Sequence, residues 1–492
     1  MRIRILSRGS ALARLQTALV ERALAATHPG IEIECSTRAS AGDRDLTSPL
    51  WKLTDKGAFT ADLSEALRRN ETDIVVHSFK DLPIELPAGT RVAGALPRAD
   101  ARDLLLIRRS VIGERPSRLS VLSSSPRRGW LLSEALPALL PWRVEAVDAL
   151  PVRGNIETRV RRLIDGNAHG LVVAKAALDR LLGFGPPFVE DATRLRELLA
   201  QCHWMVMPMR EFPWAPAQGA IAMEIADGRD DVASLLEPII CRNTTADVVA
   251  ERQHLAAAGG GCHQALGAAV MTKPYGRVIS MRAKGSGTPH VEQWRLEGSS
   301  REWPRVSADR IWPEPGRSIE VTRRPIDVAP PDPSIGLWVA RAEALPDRWR
   351  VEPDTLVWAA GNQTRRRLAS RGIWVHGSAD GLGDEDRPPV DALAGRAVEW
   401  LRLTHAGVCE PNALSTYIAD ADLPDDLPKR SHFYWMSGQL FTRAVARWPS
   451  IRGGWHATGP GRTRETVLAE IGDPSRLGVW LDRESWERDV CL

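Results

Sequence analysis

The sequence has few cysteines and no long apolar run. Its six cysteines are widely scattered over 492 residues, and none forms a CxxC pair or a Cys/His cluster with zinc spacing. Disulfides and structural zinc are therefore not expected. The N-terminal MRIRILSRGSALARLQ lacks the apolar core of a signal peptide, and no later segment approaches the roughly 18 apolar residues that span a bilayer. We expect a cytoplasmic protein that does not enter a membrane.

Net charge and lysine are also scarce. The 65 basic residues nearly balance the 62 acidic ones, and no basic run is interleaved with aromatics, so a general nucleic-acid-binding surface is not expected. Only seven of the cations are lysines, and Lys52, Lys56 and Lys80 fall in one short window. Lysine offers a compact ammonium that can lose its proton, whereas arginine offers a planar fork. The clustered lysines therefore indicate a ligand site, with chance surface placement as the alternative.

Short apolar runs alternate with helical patterns along the first half of the chain. Residues 3–7, 73–78, 118–125 and 170–178 contain runs of β-branched and aliphatic side chains, and Ser10 precedes a helical pattern that it can cap. This alternation predicts α/β architecture with a parallel sheet covered on both faces. Ligands bind such sheets beyond the C-terminal ends of the strands.

The loops at these predicted strand ends carry most of the candidate chemistry. HSFKDLP places Asp81 after a buried strand and next to Lys80, where a carboxylate can stabilise a developing cation and the ammonium can bind a carboxylate; a structural salt bridge is the alternative. SSSPRR and RGNIETR add guanidinium forks that match carboxylates. These loops together predict a cleft for an anion with several carboxylates or phosphates, although any one arginine could be a solvated surface residue.

A glycine-rich turn presents a single cysteine. In GGGCHQALG, the three glycines before Cys262 allow a tight turn that could bring the thiol into a cleft as an attachment point or nucleophile. An inert cysteine is the alternative when the turn is considered alone.

Taken in series, these motifs resemble the hydroxymethylbilane synthase (porphobilinogen deaminase) family over residues 1–325. The matching segments are SRGSALA, KLTDKGAF, DIVVHSFKDLP, SSSPRR, RGNIETR, AALDRL, APAQGAIAMEI and AERQHLAAAGGGC. The resemblance implies two doubly wound lobes like those of periplasmic binding proteins and a small α+β domain that carries the cofactor. It also implies condensation of four porphobilinogen molecules on a covalent dipyrromethane, with loss of ammonia. His263, Gln264 and Phe79 depart from the usual family residues but touch no expected reacting group.

The same resemblance assigns roles to individual residues. Cys262 is implied as the dipyrromethane anchor and Asp81 as the catalytic carboxylate. Cofactor contacts are implied for Lys80, Ser125, Arg127, Arg128 and Arg153. Substrate contacts are implied for Arg8, Ser10, Lys52, Lys56, Arg159, Arg180 and Gln218. No metal is implied, and we expect a monomer whose only partner is the small substrate porphobilinogen.

The C-terminal third differs in composition. Seven prolines lie between residues 304 and 333, which indicates a linker, and 13 of the 18 tryptophans lie beyond residue 290. VWAAGNQTRRRLASRG and GWHATGPGRTRETVLAEIG form a weak repeat that suggests two α/β lobes. FYWMSGQLF, TGPGRT and AAGNQT are similar to uroporphyrinogen III synthase, so this tail is either a second enzyme or a degenerate scaffold. Tyr434 is a possible polar contact there and is more simply structural.

These observations predict the domain boundaries. We expect a first lobe at residues 1–99 and 214–236, a second lobe at 100–213, a cofactor-attachment domain at 237–325, a linker at 326–335 and an α/β module at 336–492. A non-catalytic, two-lobed anion-binding protein is the alternative function class. The absence of a secretion signal and the placement of Cys262 in a glycine turn weigh against it.

Overall fold

The computed structural model describes residues 2–39, 60–259, 265–284, 290–298, 303–317, 319–383, 387–408 and 410–492. The chain divides into two compact units. The first contains Met1–Thr272, Ser280–Gln293 and Pro389–Ala397, and the second contains Lys273–Ile279, Trp294–Pro388 and Val398–Leu492. Among the described residues, no helix combines the length and apolar character needed to cross a membrane.

Strands and helices alternate through most of the chain. The strands are β1 (Arg2–Ser7), β2 (Glu32–Thr37), β3 (Ile74–Ser78), β4 (Thr90–Ala95), β5 (Asp103–Arg108), β6 (Arg118–Leu122), β7 (Ala146–Leu150), β8 (Gly170–Ala174), β9 (Cys202–Val206), β10 (Ile221–Ala226), β11 (Leu266–Lys273), β12 (Gly276–Ala283), β13 (Val291–Glu297), β14 (Ile311–Trp312), β15 (Val321–Pro325), β16 (Gly336–Val339), β17 (Val357–Ala359), β18 (Gly377–Ser378), β19 (Trp400–His405), β20 (Ala413–Ala421), β21 (His432–Trp435), β22 (Trp455–Thr458) and β23 (Leu477–Val479). The α-helices are α1 (Ala11–Thr27), α2 (Ala61–Arg68), α3 (Arg109–Glu114), α4 (Pro126–Ala135), α5 (Ile156–Arg162), α6 (Lys175–Gly183), α7 (Val189–Leu199), α8 (Asp230–Leu236), α9 (Arg242–Ala257), α10 (Asn362–Ser370), α11 (Asp391–Ala394), α12 (Gly438–Arg447), α13 (Arg462–Ile471) and α14 (Arg483–Val490).

The first unit contains two five-stranded sheets with equivalent strand orders. One has the order β2-β1-β3-β10-β4 and the other has β7-β6-β8-β5-β9. In each, the first three strands are parallel and the fourth is antiparallel to its neighbours. The α/β prediction is confirmed, but the prediction of a parallel sheet is wrong in this detail.

The antiparallel strands arise because the chain crosses twice between the two lobes. It leaves the first sheet after β4 and enters the second through β5, and it returns from β9 to the first sheet through β10. We call residues 96–102 the first crossing and residues 207–220 the second crossing. A strand that enters from the other lobe need not run in the direction set by a helical crossover, so local sequence periodicity does not reveal it.

Strand β3 is buried on both faces of its sheet, as the apolar run in the sequence predicted. Along β3, Ile74 and Val76 belong to one apolar cluster, while Val75 between them belongs to another. Neighbouring strand side chains point to opposite faces, so this segment is buried on both sides. Ser10 begins α1 as predicted, since its side chain accepts a hydrogen bond from the Ala13 N–H.

The second unit contains two further sheets. A six-stranded sheet has the order β15-β20-β19-β16-β17-β18, and a four-stranded sheet has the order β14-β21-β22-β23. The four-stranded sheet is parallel throughout, and the six-stranded sheet is parallel except for the β15–β20 pair. The two copies of the weak repeat lie one in each sheet, as β17 with α10 and as β22 with α13.

The proline-rich stretch contributes strands to these sheets. The domain boundaries predicted from the sequence assign the residues of β14 and β15 to the cofactor-attachment domain. In the structure, β14 pairs with β21 and β15 pairs with β20, both in the second unit. Prolines are compatible with this arrangement because Pro313 follows β14, and Pro325 ends β15 at the edge of its sheet. Residues 326–335, the predicted linker, contain none of the named strands and helices.

Gly267 tests how closely β11 packs against the second crossing. A Cβ at this position would lie 2.4 Å from the Pro213 carbonyl oxygen, and the next residue, Ala268, donates its N–H to Trp214 O. Because backbone must shift to admit the methyl group, we expect Gly267→Ala to destabilise this unit by about 1–3 kcal/mol. Thermal unfolding should show a midpoint lower by several degrees. Gly185→Ala is the control, since nothing lies within 4 Å of its Cβ position; equal midpoints for both variants would contradict the packing.

Candidate functional site

The turn after β3 places a carboxylate at the C-terminal end of this central strand of the first sheet. Residues Phe79–Asp81 form a single 3₁₀ turn, and Phe79 fixes it by packing into a buried apolar cluster and donating its N–H to Ala220 O in the second crossing. Asp81 is thereby left partly exposed in a small cavity of about 80 Å³ that Arg8 and Ser10 also line. The strand-end residues predicted from the sequence therefore meet at one place.

Lys80 is connected to the second crossing through Gln218. Lys80 Nζ donates a hydrogen bond to Gln218 Oε1 at 3.2 Å, and Gln218 is almost fully buried. Burial lowers the pKa of Lys80 to about 8, and the positive charges of Arg128 and Arg127 act in the same direction, whereas Asp81 opposes them. Lys80 therefore lies between carboxylates and guanidinium groups, and burial is the largest of the effects on its pKa.

Asp103 holds the two adjacent arginines of SSSPRR. Its Oδ2 accepts from Arg127 Nη2 at 2.8 Å, and its Oδ1 accepts from Arg128 Nη2 at 2.6 Å and from Gln218 Nε2 at 2.9 Å. Burial alone would raise the pKa of Asp103, but the two guanidinium charges outweigh burial and hold it well below its usual range. Arg127 also donates to the Pro213 carbonyl at 2.8 Å, so much of its fork is engaged inside the protein.

Arg153 and Arg159 add further positive charge close to Asp81. Arg159 Nε donates to Gly154 O at 2.7 Å. Burial, reinforced by the charges of Arg128 and Arg153, lowers the pKa of Arg159 to about 10, and the charge of Asp81 partly offsets this. Within the described residues, Arg153 Nη2 is buried without a hydrogen-bond partner. A buried N–H of this kind costs free energy unless an acceptor binds it, so the geometry suits an anionic ligand.

The other predicted contacts have local structural partners. Ser125 is the N-cap of α4 and accepts from Arg128 N at 3.4 Å. Arg180, on α6, donates from Nη2 to Gly219 O at 2.6 Å, and burial lowers its pKa to about 10. Lys52, Lys56 and Cys262 lie outside the described residues.

Glu251 and Asp103 are two buried carboxylates that hold residues of the crossings and were not predicted from the sequence. Glu251 on α9 accepts from both Nη atoms of Arg98 at 2.8 Å, and its Oε1 also accepts from Trp214 Nε1 and Val270 N. It therefore joins both crossings to the helix before the glycine-rich turn and to the strand after it. Asp103 is the other, and its one sequence signal is a carboxylate directly before the buried run Leu104–Ile107.

His77 and Glu224 form a buried pair beneath the Asp81 turn. His77 Nε2 lies 2.7 Å from Glu224 Oε2, and Ser64 Oγ donates to the same oxygen at 3.1 Å. Burial alone would raise the pKa of Glu224, but hydrogen bonding to His77 and the charge of His77 outweigh it and lower the pKa. The pair connects β3 to β10 at the base of the turn.

A larger cavity of about 570 Å³ lies in the second unit. It is lined by the β15–β20 ladder and by more acidic than basic side chains. The acidic ones are Glu314, Glu320, Asp420, Asp422 and Asp426, and the basic ones are Arg317, Arg324 and Arg430. An excess of acidic side chains disfavours the binding of a ligand with several carboxylates. This cavity is therefore not the anion site predicted from the cationic loops, although it is larger than the cavity beside Asp81.

Strand ends of the two sheets also meet within the second unit. Gly383, after β18, approaches Gly461, after β22, so closely that a Cβ on Gly383 would lie 2.4 Å from Gly461 N. Arg462, at the start of α13, forms an ion pair with Glu410 in the connection that leads into β20. Helices α10 and α13 thus begin at neighbouring strand ends. The unpaired N–H groups of a helix's first turn favour the binding of anions there. Tyr434 is buried against Trp486, and a Cβ on Gly459 would lie 3.6 Å from its hydroxyl.

The family model that matches this chain covers part of the first unit. The profile of the family described as "Porphobilinogen deaminase, dipyromethane cofactor binding domain" matches residues 3–234. A "Probable porphobilinogen deaminase" of Pyrobaculum islandicum is 33% identical over 279 residues, which are 56% of this chain and 85% of that protein. A "Porphobilinogen deaminase" of Roseiflexus castenholzii is 35% identical over 263 residues, covering 53% and 79% respectively.

A third relative is more similar in sequence. The "Porphobilinogen deaminase" of Leifsonia xyli subsp. xyli is 38% identical over 275 residues, which are 55% of this chain and 75% of that protein. Among solved structures, full-length BenM has 15% identity and a TM-score of 0.28 over 53% of this chain and 69% of that chain, too low to support an inference. The family resemblance predicted from the motifs is confirmed: this chain belongs to the porphobilinogen deaminase family.

Proposed function

We propose that this chain is a hydroxymethylbilane synthase, which condenses four porphobilinogen molecules head to tail and releases ammonia. The observation that carries the proposal is the placement of Asp81 beside Lys80 and Arg159, with Arg128 and Arg153 next to these cations. Each porphobilinogen brings an acetate and a propionate, so a growing chain of pyrroles needs many cations. A protein with a formal net charge of +3 must concentrate them locally.

The same residues suit a dipyrromethane cofactor. Its carboxylates would find the buried Nη2 of Arg153, which has no hydrogen-bond partner among the described residues, and the ammonium of Lys80. Arg128, whose guanidinium donates to Asp103 and Val172 O, would add positive charge to this subsite. We propose that it is attached through Cys262, which lies in sequence between α9 and β11, and that Ser125 and Arg127 support this subsite. When bound, the cofactor supplies the pyrrole position at which the first porphobilinogen is added.

The chain's own residues then act by charge and position. Loss of ammonia from porphobilinogen leaves a cation, and the Asp81 carboxylate stabilises positive charge on the pyrrole nitrogen and accepts or returns a proton. Phe79 and the His77–Glu224 pair hold the Asp81 turn in place. Arg8, Ser10, Arg159, Arg180 and Gln218, with Lys52 and Lys56, are proposed to position the substrate carboxylates and ring.

The attachment proposal is tested by intact mass. Protein carrying the cofactor should exceed its sequence mass by one dipyrromethane, and Cys262→Ala should have the bare mass and form no hydroxymethylbilane. Cys35→Ala is the matched control because Cys35 is exposed on the outer strand β2. It should retain both the added mass and activity. Full activity without the added mass would refute covalent attachment.

The catalytic role of Asp81 is tested by removing only its charge. Asp81→Asn keeps the size of the side chain, so we expect the cofactor to stay attached while kcat falls by roughly 100-fold or more. Steady-state turnover of porphobilinogen and intact mass measure the two effects separately. Asp230→Asn, which removes an exposed carboxylate, should leave kcat unchanged. A near-normal kcat for Asp81→Asn would exclude the role.

We further propose that the second unit acts as a uroporphyrinogen III synthase on the released hydroxymethylbilane. The facing strand ends around Gly383 and Gly461, with helix N-termini beside them, support an anion-binding cleft between two lobes. Ring closure with inversion of the last pyrrole depends on such a cleft more than on one nucleophile. Fusion in one chain would hand over an unstable product at high effective concentration. A scaffold without activity is the alternative.

Isomer analysis distinguishes these alternatives for the second unit. Porphobilinogen supplied to the full chain should yield uroporphyrinogen III after oxidation to the porphyrin. Gly459→Asp adds a negative charge at a strand end with room for a Cβ, so it should shift the product toward isomer I without changing hydroxymethylbilane formation. Gly459→Ala adds the Cβ alone and should keep isomer III. Isomer I from the unaltered chain would reduce this unit to a scaffold.

A further inference from the structure

Helix α6 begins with a fully buried lysine that the proposed mechanism does not use. Lys175 Nζ donates to Asp179 Oδ2 at 2.6 Å and lies 3.5 Å from Asp100 Oδ2 in the first crossing. It also donates to the carbonyl oxygen of Pro389 at 2.6 Å. Burying an ammonium is costly unless acceptors surround it, so the Pro389 carbonyl is part of what allows Lys175 to be buried.

Pro389 begins a short segment that belongs to the first unit, although its neighbours in sequence belong to the second. We call residues 389–397 the clip segment. It contains α11 and ends this helix at Gly395, whose φ of 70° is the left-handed conformation that glycine favours. The clip segment is therefore an ordered part of the unit that carries Asp81.

The clip segment contacts both ends of α6. At the first turn it supplies the Pro389 carbonyl to Lys175. At the last turn, Arg196 joins the two elements by donating from Nη1 to Ala392 O at 3.0 Å and from Nη2 to Leu182 O at 2.9 Å. A Cβ on Gly183 would meet Ala392 Cβ at 4.0 Å, which is ordinary contact. Two hydrogen-bonded ends limit how far the helix can tilt or slide.

The position of α6 determines where Arg180 lies. Arg180 is in the last turn of this helix, is largely buried, and donates to Gly219 O of the second crossing. The helix N-terminus is tied to the first crossing, since Lys175 N donates to Arg102 O at 3.0 Å. A helix between both crossings transmits any displacement to Arg180 because helices move as rigid elements.

We propose that the clip segment is a positioning element for porphobilinogen binding, which holds α6 so that Arg180 can bind a substrate carboxylate. This inference rests on the proposed synthase function and extends it. The synthase site then depends on nine residues that lie in sequence within the C-terminal part of the chain. This dependence holds whether or not the second unit has an activity of its own.

The test replaces Pro389–Ala397 in the full-length chain with a Gly/Ser linker of equal length. Arg387 Nη2 donates to Val398 O, so the ends of the replaced segment lie close together and a flexible linker spans them. We expect KM for porphobilinogen to rise about tenfold while kcat stays within about twofold, because a substrate contact is weakened and the reacting groups are not. Amide hydrogen exchange of residues 175–183 should become faster.

Point variants cover the case in which the linker protein does not fold. Arg196→Met removes the two hydrogen bonds through which Arg196 joins the last turn of α6 to the clip segment, and it leaves the bond from Lys175 to Pro389 O in place. We therefore expect a smaller rise in KM, with faster exchange in α6. Arg194→Met is the matched control because Arg194, like Arg196, lies on α7. Its side chain is about half exposed and forms a surface ion pair with Asp191. It should leave KM and exchange unchanged.

Two outcomes would overturn the positioning role. Unchanged KM and exchange in the linker protein and in Arg196→Met would show that the clip segment does not hold α6. Faster exchange with unchanged KM would show that α6 is held but that porphobilinogen binding does not depend on it. If the unaltered chain forms no hydroxymethylbilane, the proposed function fails instead, and hydrogen exchange still decides whether the clip segment holds the helix.

Discussion

The carboxylate of Asp103 allows two adjacent arginines to be buried at the centre of the first unit. Arg127 and Arg128 would repel one another in a region poor in water, and a buried guanidinium without a counter-charge costs several kcal/mol. Asp103 meets both forks and the amide of Gln218 within hydrogen-bonding distance. Because Gln218 also accepts from Lys80, the network runs from one lobe through the second crossing to the other. The site's cations can be close together only because this network fixes them.

The network divides the cations into two kinds. Arg127 is committed to protein acceptors at both ends of its fork, so its contribution to ligand binding is chiefly to hold Asp103 and the second crossing. Arg153 retains a buried N–H without an acceptor among the described residues. Arg159 has a pKa lowered by burial and by its neighbouring cations. An anion with several carboxylates would reduce the repulsion between Arg159 and its neighbouring arginines. This reduction would contribute to the free energy of binding.

Glu251 and the clip segment show that the site depends on parts of the chain that do not touch it. Glu251 on α9 connects the two crossings to β11, because its carboxylate accepts hydrogen bonds from Arg98, Trp214 and Val270. Residues 389–397 buttress α6 from a position more than 200 residues later in sequence, where Pro389 meets Lys175. The packing of α6 in the first unit therefore includes nine residues that lie in sequence within the C-terminal part of the chain.

Local sequence was enough to predict the strand-end motifs, several short strands and the helix that Ser10 begins. Asp81, Lys80 and the SSSPRR arginines could be predicted because strand-end loops and their residue types are local properties, and Ser10 could be assigned as a cap from its own neighbours. The antiparallel strands β5 and β10, the inclusion of β14 and β15 in the C-terminal sheets and the commitment of Arg127 to Asp103 were decided by tertiary structure. The physical reason is that each depends on a partner distant in sequence. Burial and ion pairing, which settle the role of an arginine, exist only once the chain has brought that partner within a few ångströms.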